Sequence, residues 1–576
     1  MSAKPPKGER TQTSRPDKSG KPSFEWNLTD SSITDTVRLI AGPFDVLPIV
    51  FVPGIMGSNL KSTSGAPVWR LDTGVGGIPW GMLKGFATTG AGPRQRLLHP
   101  DRCVVDSGGA IPSKLRGSVH SKEEYRRRGW GSVGEGSYHD FLLWLEDELN
   151  PAARNPATWL DYYQDQVTVS PAPKPNQQPK LYPGVRMGMK GQPFNGEKSF
   201  SSVMTDDLLA RSKFLMPVHV VGYNWLASNK VAADLLQKRI LEIIMENDVG
   251  NFRCKQVILV THSMGGLVGR ACARLAGMEA RIAGIVHGVM PAVGAAVAYR
   301  RCKMGMRDED FGAGLVIGSN GQEVTAVFAQ SPGALQLLPS QTYSAEWLRV
   351  QGPNGKIAES SPLDAAGGND PYESIYKRRD RWWGLVNEAW LSPTEGQPIE
   401  WGDFADSLAE AKKFHAKLGA YYHSNSFVFY GADPKQKSFE KVTWKVATGL
   451  APDRIAPPSI TAVKKFSPQQ VRMDGASPEY VGGETEISNY ATPFGGGVSV
   501  NETSYWELHC EMQDGAGDGT VPLSSGAAPL AQGGESVKQQ FKLTGFGHEH
   551  AFKDGTAQRA TLYAITKIAG ATKRPQ

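Results

Sequence analysis

A serine followed by two glycines stands at the end of a short apolar run, in the stretch 262–266 (HSMGG). The apolar residues 257–260 predict a buried strand, and helical spacing of apolar residues begins near Leu267. A serine in a sharp strand-to-helix turn has a strained backbone and an exposed hydroxyl, which suits it for attack on a carbonyl carbon. We therefore predict that Ser263 is a nucleophile.

The turn around this serine is tight enough to restrict its neighbours. Side chains two positions before and two positions after Ser263 would collide, so small residues are expected there. Gly265 meets this requirement, whereas Thr261 stands where glycine is usual, a departure that a small residue can tolerate. The positive end of the following helix would favour negative charge developing on a substrate oxygen.

A second loop predicts hydrogen-bond donors for that oxygen. The segment 52–58 (VPGIMGS) leaves the apolar run 47–52, which predicts another buried strand. In such a site, one backbone N–H comes from this loop and the other from the residue after the nucleophile. We assign these two donors to Ile55 and Met264, each contributing about 3 kcal/mol in the transition state.

Two late segments offer the acid and the base that a serine nucleophile needs. The expected chain order is serine, then acid, then histidine. We predict that His548, in 545–550 (GFGHEH), takes the proton from Ser263, and that Asp518, in a DGTV turn, orients the imidazole ring. Asp514 is the alternative acid and His550 is the alternative base.

The remaining histidines and the cysteines have no predicted part in chemistry. His262 and His287 lie near the turn in sequence, where a histidine usually packs or orients its neighbours. The five cysteines are few and widely spaced, and none has the C-x-x-C spacing of a metal site. We therefore expect free thiols in a reducing compartment, with neither metal nor organic cofactor required.

The elements around these residues alternate between strands and helices. A further apolar run at 218–222 predicts a strand, and Ser228 is a suitable N-cap for the helix that follows it. Sheet-like segments recur at 426–430, 505–510 and 538–543, and a helix over 557–568 closes the chain. This order predicts the α/β-hydrolase fold: a mostly parallel central sheet with helices on both faces and a large cap insertion.

The chain of 576 residues is long for one hydrolase domain. We predict four segments, which are a disordered basic N-terminal tail at 1–35, the first part of the core at 36–340 with an insertion at 60–215, a cap or lid at 341–500, and the C-terminal part of the core at 501–576.

Charge and hydropathy narrow the function classes. A net charge of +6 over this length, most basic in the N-terminal tail, does not indicate a nucleic-acid partner. The first residues lack the apolar segment of a secretory signal, and no run is typical of a membrane-spanning helix. We expect synthesis in the cytoplasm and, if the protein acts elsewhere, transport by another route.

These motifs together resemble the lipases related to lecithin–cholesterol acyltransferase. The matching pieces are the oxyanion loop 53–58, the nucleophile turn 262–266 and the DGTVP stretch 518–522. Residues 223–225 resemble a Tyr-Asp-Trp element of that family, from which Asn224 departs. Segment 331–339 resembles the part that precedes the family's cap.

A closer resemblance is to the antibacterial lipase effectors of bacterial type VI secretion. It rests on RGWGSV at 128–133 with the helix at 138–149, and on HEHAFKD at 548–554 with ATLYAITKIA at 560–569. It covers roughly 40–340 and 505–570, and in its pattern His548 is the base. The resemblance implies phospholipase A-type hydrolysis at a target membrane, delivery by a secretion spike or adaptor, and a cognate immunity protein.

We therefore expect a serine lipase or phospholipase that hydrolyses acyl esters of membrane phospholipids, binds the membrane surface peripherally and is secreted into a target cell. Two other enzymes would use the same triad, a soluble carboxylesterase and an acyltransferase. A binding protein of the same fold that has lost catalysis is the alternative outside enzymes.

Overall fold

The computed structural model describes most of the chain. The described residues are 45–70, 90–112, 120–150, 213–306, 317–353, 370–393, 399–449, 455–473, 479–491 and 497–573, with short stretches at 9–13, 15–16, 22–23, 36–40, 180–181, 196–198, 203–204, 207, 210–211 and 360–362. The predicted tail at 1–35 lies largely outside them, as does much of the predicted insertion at 60–215.

A six-stranded sheet in which every pair is parallel forms the centre of the molecule. Its strands, numbered along the chain, are β1 Ile49–Val52, β2 Val218–Val220, β3 Val257–His262, β4 Ile282–Gly288, β5 Ser426–Gly431 and β6 Val537–Leu543. Their order across the sheet is β2-β1-β3-β4-β5-β6. Parallel strands present their carboxyl ends at one edge, so the loops that follow β1, β3 and β6 meet there.

Twelve α-helices are described. They are α1 Ala91–Leu97, α2 Lys122–Arg127, α3 Glu135–Leu149, α4 Asn229–Asn247, α5 Gly265–Ala273, α6 Val297–Met304, α7 Gly321–Phe328, α8 Pro332–Leu335, α9 Trp401–Leu418, α10 Ile460–Lys465, α11 Leu523–Gly533 and α12 Gly555–Ala571. Short 3₁₀ turns span Trp130–Ser132, Glu388–Trp390, Gly534–Ser536 and Ala551–Lys553, and a π-helical turn spans Tyr372–Tyr376.

The central strands are apolar along their length because both faces of the sheet are covered. Alternate residues of β1 belong to two different cores: Val50 and Val52 pack with α4 and α5, whereas Ile49 and Phe51 pack with α3 and α12. Helices therefore lie on both faces, and the predicted α/β-hydrolase fold class is confirmed.

A second, mixed sheet is built mainly from the segment predicted as a cap. Its order is Ser360–Pro362, Leu348–Gln351, Val442–Ala447, Gly497–Cys510, Glu479–Ala491 and Val471–Arg472. Smaller pairings involve Glu9–Thr13 with Thr36–Ile40, Arg15–Pro16 with Pro22–Ser23, Asp45–Val46 with Phe214–Leu215, Lys180–Leu181 with Val203–Met204, Leu60–Ser62 with Pro67–Trp69 and Cys103–Val105, and Asp433–Ser438 with Gly515–Gly517.

Two strands lie on the other side of the boundaries drawn from sequence. β5 falls inside the predicted cap, 341–500, yet it pairs with β4 and β6 in the central sheet. Gly497–Cys510 extends into the predicted C-terminal core, yet it pairs within the second sheet. A local sequence pattern can indicate a strand but does not identify the strand it pairs with, so neither placement was readable from sequence.

No helix among the described residues is both long enough and apolar enough to cross a membrane.

Candidate active site

Ser263 occupies a sharp turn between β3 and α5. Its φ is +52°, in the left-handed region that few non-glycine residues adopt. The backbone N–H of Ser263 donates to the Gly288 carbonyl at the end of β4, at 2.9 Å, which ties the turn to the neighbouring strand. The side chain of this strained residue is therefore held at the N-terminus of α5.

The small neighbours of the turn have identifiable contacts. A Cβ on Gly265 would lie 2.4 Å from the Pro53 carbonyl oxygen, so glycine is required where α5 passes the loop after β1. Thr261 fits in place of the usual glycine because its methyl group faces Gly269, one turn into the helix, where an added Cβ would lie 3.0 Å from it.

The structure brings Ser263 together with His548, 285 positions later in the chain, and with Asp518, which precedes His548 by 30 positions. His548 Nε2 lies 2.8 Å from Ser263 Oγ, and His548 Nδ1 lies 2.8 Å from Asp518 Oδ2. Asp518 is buried, and its other oxygen accepts the backbone N–H groups of Thr520 and Val521 at 3.0 and 2.7 Å. The backbone N–H of His548 also donates to the backbone carbonyl of Asp518 at 2.7 Å. The three side chains form one hydrogen-bonded chain.

The two alternative residues have other surroundings. Asp514 is exposed and accepts the backbone N–H groups of Glu440 and Lys441 at 2.9 and 3.0 Å. His550 is exposed at the start of the 3₁₀ turn Ala551–Lys553. The structure thus brings His548 and Asp518, and not these alternatives, to Ser263.

The predicted oxyanion loop lies against the nucleophile turn. A Cβ on Gly54 would lie 2.9 Å from Ser263 Cβ, so the loop approaches as closely as glycine allows. The Gly57 N–H donates to the Gly54 carbonyl at 3.1 Å, and Met56 between them has a φ of +62°. Ile55 lines the same pocket as Ser263, and buried Met264 directly precedes α5.

A buried tyrosine and a buried histidine connect these loops. The Gly54 N–H donates to Tyr138 Oη at 3.2 Å, Tyr138 Oη lies 2.9 Å from His262 Nδ1, and His262 Nε2 lies 3.0 Å from the His548 carbonyl oxygen. Burial lowers the pKa of His262 to about 3, with the charge of His548 acting in the same direction. Burial likewise raises the pKa of Tyr138, so both groups are neutral near pH 7.

His287 lies behind the turn. It is fully buried, its Nδ1 is 3.1 Å from the Thr261 hydroxyl, and burial lowers its pKa to about 3. The sequence predicted that His262 and His287 pack or orient neighbours, and both have such contacts. Sequence reasoning missed Tyr138 as part of the site, because nothing in the pattern of α3 separates it from the other apolar residues that face the core.

An open pocket leads to Ser263. It holds about 1190 Å³ of empty space, which includes some open solvent, and its walls are mainly apolar. Apolar wall residues include Met56, Trp69, Pro291, Phe328 and Leu337. Among the residues that the structure describes, the charged residues of the wall are Arg301 and Glu549. Glu549 accepts a hydrogen bond from the Ser137 hydroxyl at 2.9 Å.

Metal-ligating side chains and thiols are two further kinds of chemically active group to consider among the described residues. Within them, no three His, Cys, Asp or Glu side chains are grouped so as to hold a metal ion. The cysteines at 103, 254, 272, 302 and 510 are free thiols. Burial raises the pKa of Cys103 to about 11 and that of Cys254 to about 12, which makes both poor nucleophiles.

The chain has matches among solved structures. No protein-family model matches the chain, and no curated protein matches it. Among solved structures, the crystal structure of a Tle4–Tli4 complex contains a chain that is 29% identical, with a TM-score of 0.69. The match covers 92% of this chain and 99% of that chain. The resemblance predicted from sequence is confirmed: the chain is similar, over nearly its whole length, to the type VI lipase effector Tle4.

Proposed function

We propose that this protein is a serine ester hydrolase of the lipase or phospholipase type, and that Ser263 is its nucleophile. The observation that carries the proposal is the hydrogen-bonded chain from Ser263 through His548 to Asp518, with 2.8 Å at each step. A serine, an imidazole and a buried carboxylate in this order are what acyl transfer requires. The similarity to Tle4 supports lipid as the substrate class.

In the first half-reaction, Ser263 Oγ attacks the ester carbonyl carbon while His548 Nε2 takes the hydroxyl proton. Asp518 Oδ2 accepts the Nδ1–H of His548 and stabilises the imidazolium. The backbone N–H groups of Ile55 and Met264 donate to the oxygen of the tetrahedral intermediate. The bond to the alcohol then breaks, the alcohol leaves with the proton from His548, and the acyl group remains esterified to Ser263.

In the second half-reaction, His548 takes a proton from water, and the resulting oxygen nucleophile attacks the acyl-serine carbonyl. Collapse of the second intermediate releases the carboxylic acid and returns the proton to Ser263 Oγ. The mainly apolar pocket around Ser263 suits an acyl chain, because burying each CH₂ group contributes about 0.8 kcal/mol.

We also propose where the enzyme acts. Its substrate is membrane phospholipid reached from the membrane surface, after delivery into a target cell by a type VI secretion spike or adaptor. A cognate immunity protein would protect the producing cell. The similarity to a chain that was crystallised in complex with Tli4 supports a protein partner of this kind.

The test compares wild type with Ser263→Ala. We expect a fluorophosphonate probe to label wild type only, and Ser263→Ala to lower the turnover of phospholipid vesicles by about 10⁵-fold or more. Mass spectrometry should find free fatty acid and lysolipid. Ser331→Ala is the matched control, since Ser331 is also buried but its hydroxyl donates to the Val327 carbonyl, at 2.7 Å, outside the pocket wall.

Other outcomes identify the alternatives. Rapid cleavage of short soluble esters with intact phospholipid would identify a carboxylesterase. Acyl transfer to an added alcohol in preference to water would identify an acyltransferase. Absence of labelling in folded wild type would contradict catalysis and favour a binding protein.

A further inference from the structure

We propose that His262 and Tyr138 are positioning residues that hold the oxyanion loop, the nucleophile turn and the base loop in one arrangement. The inference rests on the proposed function, because it assigns a task within that reaction. These hydrogen bonds lie next to the reacting groups. Gly54, which is bonded to Tyr138, precedes Ile55, and His262 itself precedes Ser263. The carbonyl that His262 contacts belongs to His548.

The chemistry of each group determines which atom donates in each of these hydrogen bonds. The His548 carbonyl can only accept, so His262 Nε2 carries the proton and donates at 3.0 Å. In neutral imidazole the other nitrogen is then an acceptor, and the Tyr138 hydroxyl donates to His262 Nδ1 at 2.9 Å. Tyr138 Oη in turn accepts the Gly54 N–H at 3.2 Å. Every polar atom in this chain has a partner of the opposite kind.

Protonation of His262 would break the hydrogen bond from Tyr138, because an imidazolium has no acceptor nitrogen for the Tyr138 hydroxyl. Burial opposes this protonation: His262 is 4% exposed, and burial lowers its pKa to about 3, so the imidazole is neutral near pH 7. His262 is therefore not a second base for the reaction. It is a fixed connector with one donor and one acceptor.

The packing leaves little freedom for substitutes. A Cβ on Gly54 would lie 3.0 Å from His262 Nδ1, and a Cβ on Gly57 would lie 2.5 Å from Tyr138 Oη. The oxyanion loop is thus in direct contact with both side chains. If this contact is lost, the loop is held by fewer bonds, and the predicted Ile55 donor moves relative to Ser263.

Tyr138→Phe is the first test, because it removes one hydroxyl and leaves the ring in place. We expect kcat for a short soluble ester to fall by about 10- to 100-fold, since misplacement of reacting groups by about 1 Å costs about that much. KM should change by less than about threefold, because the pocket wall is otherwise unchanged. Tyr376→Phe is the matched control: Tyr376 is also fully buried, and its hydroxyl donates to the Pro339 carbonyl at 2.7 Å.

A pair of substitutions at His262 separates hydrogen bonding from space filling. His262→Gln keeps an amide donor and a carbonyl acceptor, whereas His262→Leu fills the space with neither. We expect kcat to decrease in the order wild type, His262→Gln, His262→Leu. We also expect Tyr138→Phe to cause little further loss in the His262→Leu background, since the shared link is already broken.

A spectroscopic readout does not depend on turnover. In protein labelled with ¹⁵N-histidine, we expect one imidazole, identified by its loss in His262→Gln, to remain the neutral Nε2–H form from pH 8 to pH 5. Titration of that imidazole in this interval, or an Nδ1–H form, would overturn the inference, even if a variant at position 138 failed to fold.

The outcomes distinguish this inference from the proposed function. If folded wild type is neither labelled by fluorophosphonate nor active, the proposed function and the inference fall together. If wild type is active while Tyr138→Phe matches Tyr376→Phe in kcat, or His262→Leu matches His262→Gln, the inference alone is wrong.

Discussion

At the scale of single residues, the site combines a strained backbone at Ser263 with a carboxylate, Asp518, whose two oxygens both accept hydrogen bonds. Ser263 keeps a positive φ, which costs on the order of 1–3 kcal/mol. Asp518 uses one oxygen for the N–H groups of its own turn and the other for His548. A side chain whose two oxygens face different partners can be altered on one side while its turn is kept.

Asp518→Asn exploits this division. The amide oxygen can still accept from Thr520 and Val521, but the amide nitrogen would donate to His548 Nδ1. The imidazole proton would then be on Nε2, which could not accept from Ser263. We expect kcat to fall by about 10³- to 10⁴-fold with a small change in thermal stability. Asp514→Asn is the control for the same chemical change, and a larger loss of activity there would show that the acid has been assigned to the wrong residue.

At the scale of elements, the site depends on loops that leave β1, β3 and β6 at the same edge of the sheet. The close approach of α5 to the loop after β1 determines how far the oxyanion donors lie from the serine. Gly265 is the contact point, since an added Cβ would lie 2.5 Å from the Val52 carbonyl oxygen as well as 2.4 Å from that of Pro53. Both of these neighbours are backbone atoms, which cannot move aside as a flexible side chain can.

Gly265→Ala should therefore lower the free energy of unfolding by about 2–4 kcal/mol and abolish fluorophosphonate labelling. Gly402→Ala is the matched control, because Gly402 is in α9 and no atom lies within 4 Å of an added Cβ. We expect that variant to be as stable as wild type or slightly more stable. Urea unfolding followed by circular dichroism measures both, and equal stability of the two variants would contradict the close contact.

The same elements show what could be read from the sequence. β1, β3 and α5 were predictable because buried strands and a glycine-rich turn leave strong local patterns. The placement of β5 in the central sheet and of Gly497–Cys510 in the second sheet was not, since pairing is a long-range property. Tyr138 was missed for a related reason: its partners, Gly54 and His262, are 84 and 124 positions away.

At the scale of the whole molecule, three of the described histidines combine near-complete burial with a pKa that is lowered to about 3. His219, His262 and His287 are each no more than 4% exposed. Burial lowers the pKa of each to about 3, and the charges of Arg128 and Arg127 add to the effect at His219. In the unfolded chain all three would have a pKa near 6.5. The unfolded state therefore binds protons on them that the folded state does not.

This difference determines the sign of the pH dependence. Because burial lowers the folded-state pKa values, protonation of these histidines favours the unfolded state. The free energy of unfolding is unaffected by them above about pH 6.5 and decreases as pH falls from there toward about 3. At pH 5 each histidine should cost about 2 kcal/mol of stability, or about 6 kcal/mol together, which is a large part of an ordinary folding free energy. We expect the urea midpoint to fall steeply between pH 7 and pH 5.

His219→Leu identifies the source of that slope. Residue 219 lies in β2 at the edge of the central sheet, and leucine has a similar volume but no titrating group. At acidic pH, unfolding of the variant should take up about one proton fewer than unfolding of wild type. Its free energy of unfolding should therefore fall less steeply below pH 6.5. Exposed His550, replaced by leucine, is the control and should leave the slope unchanged. If His219→Leu and wild type had parallel curves from pH 7 to pH 5, acid sensitivity would have to come from other groups.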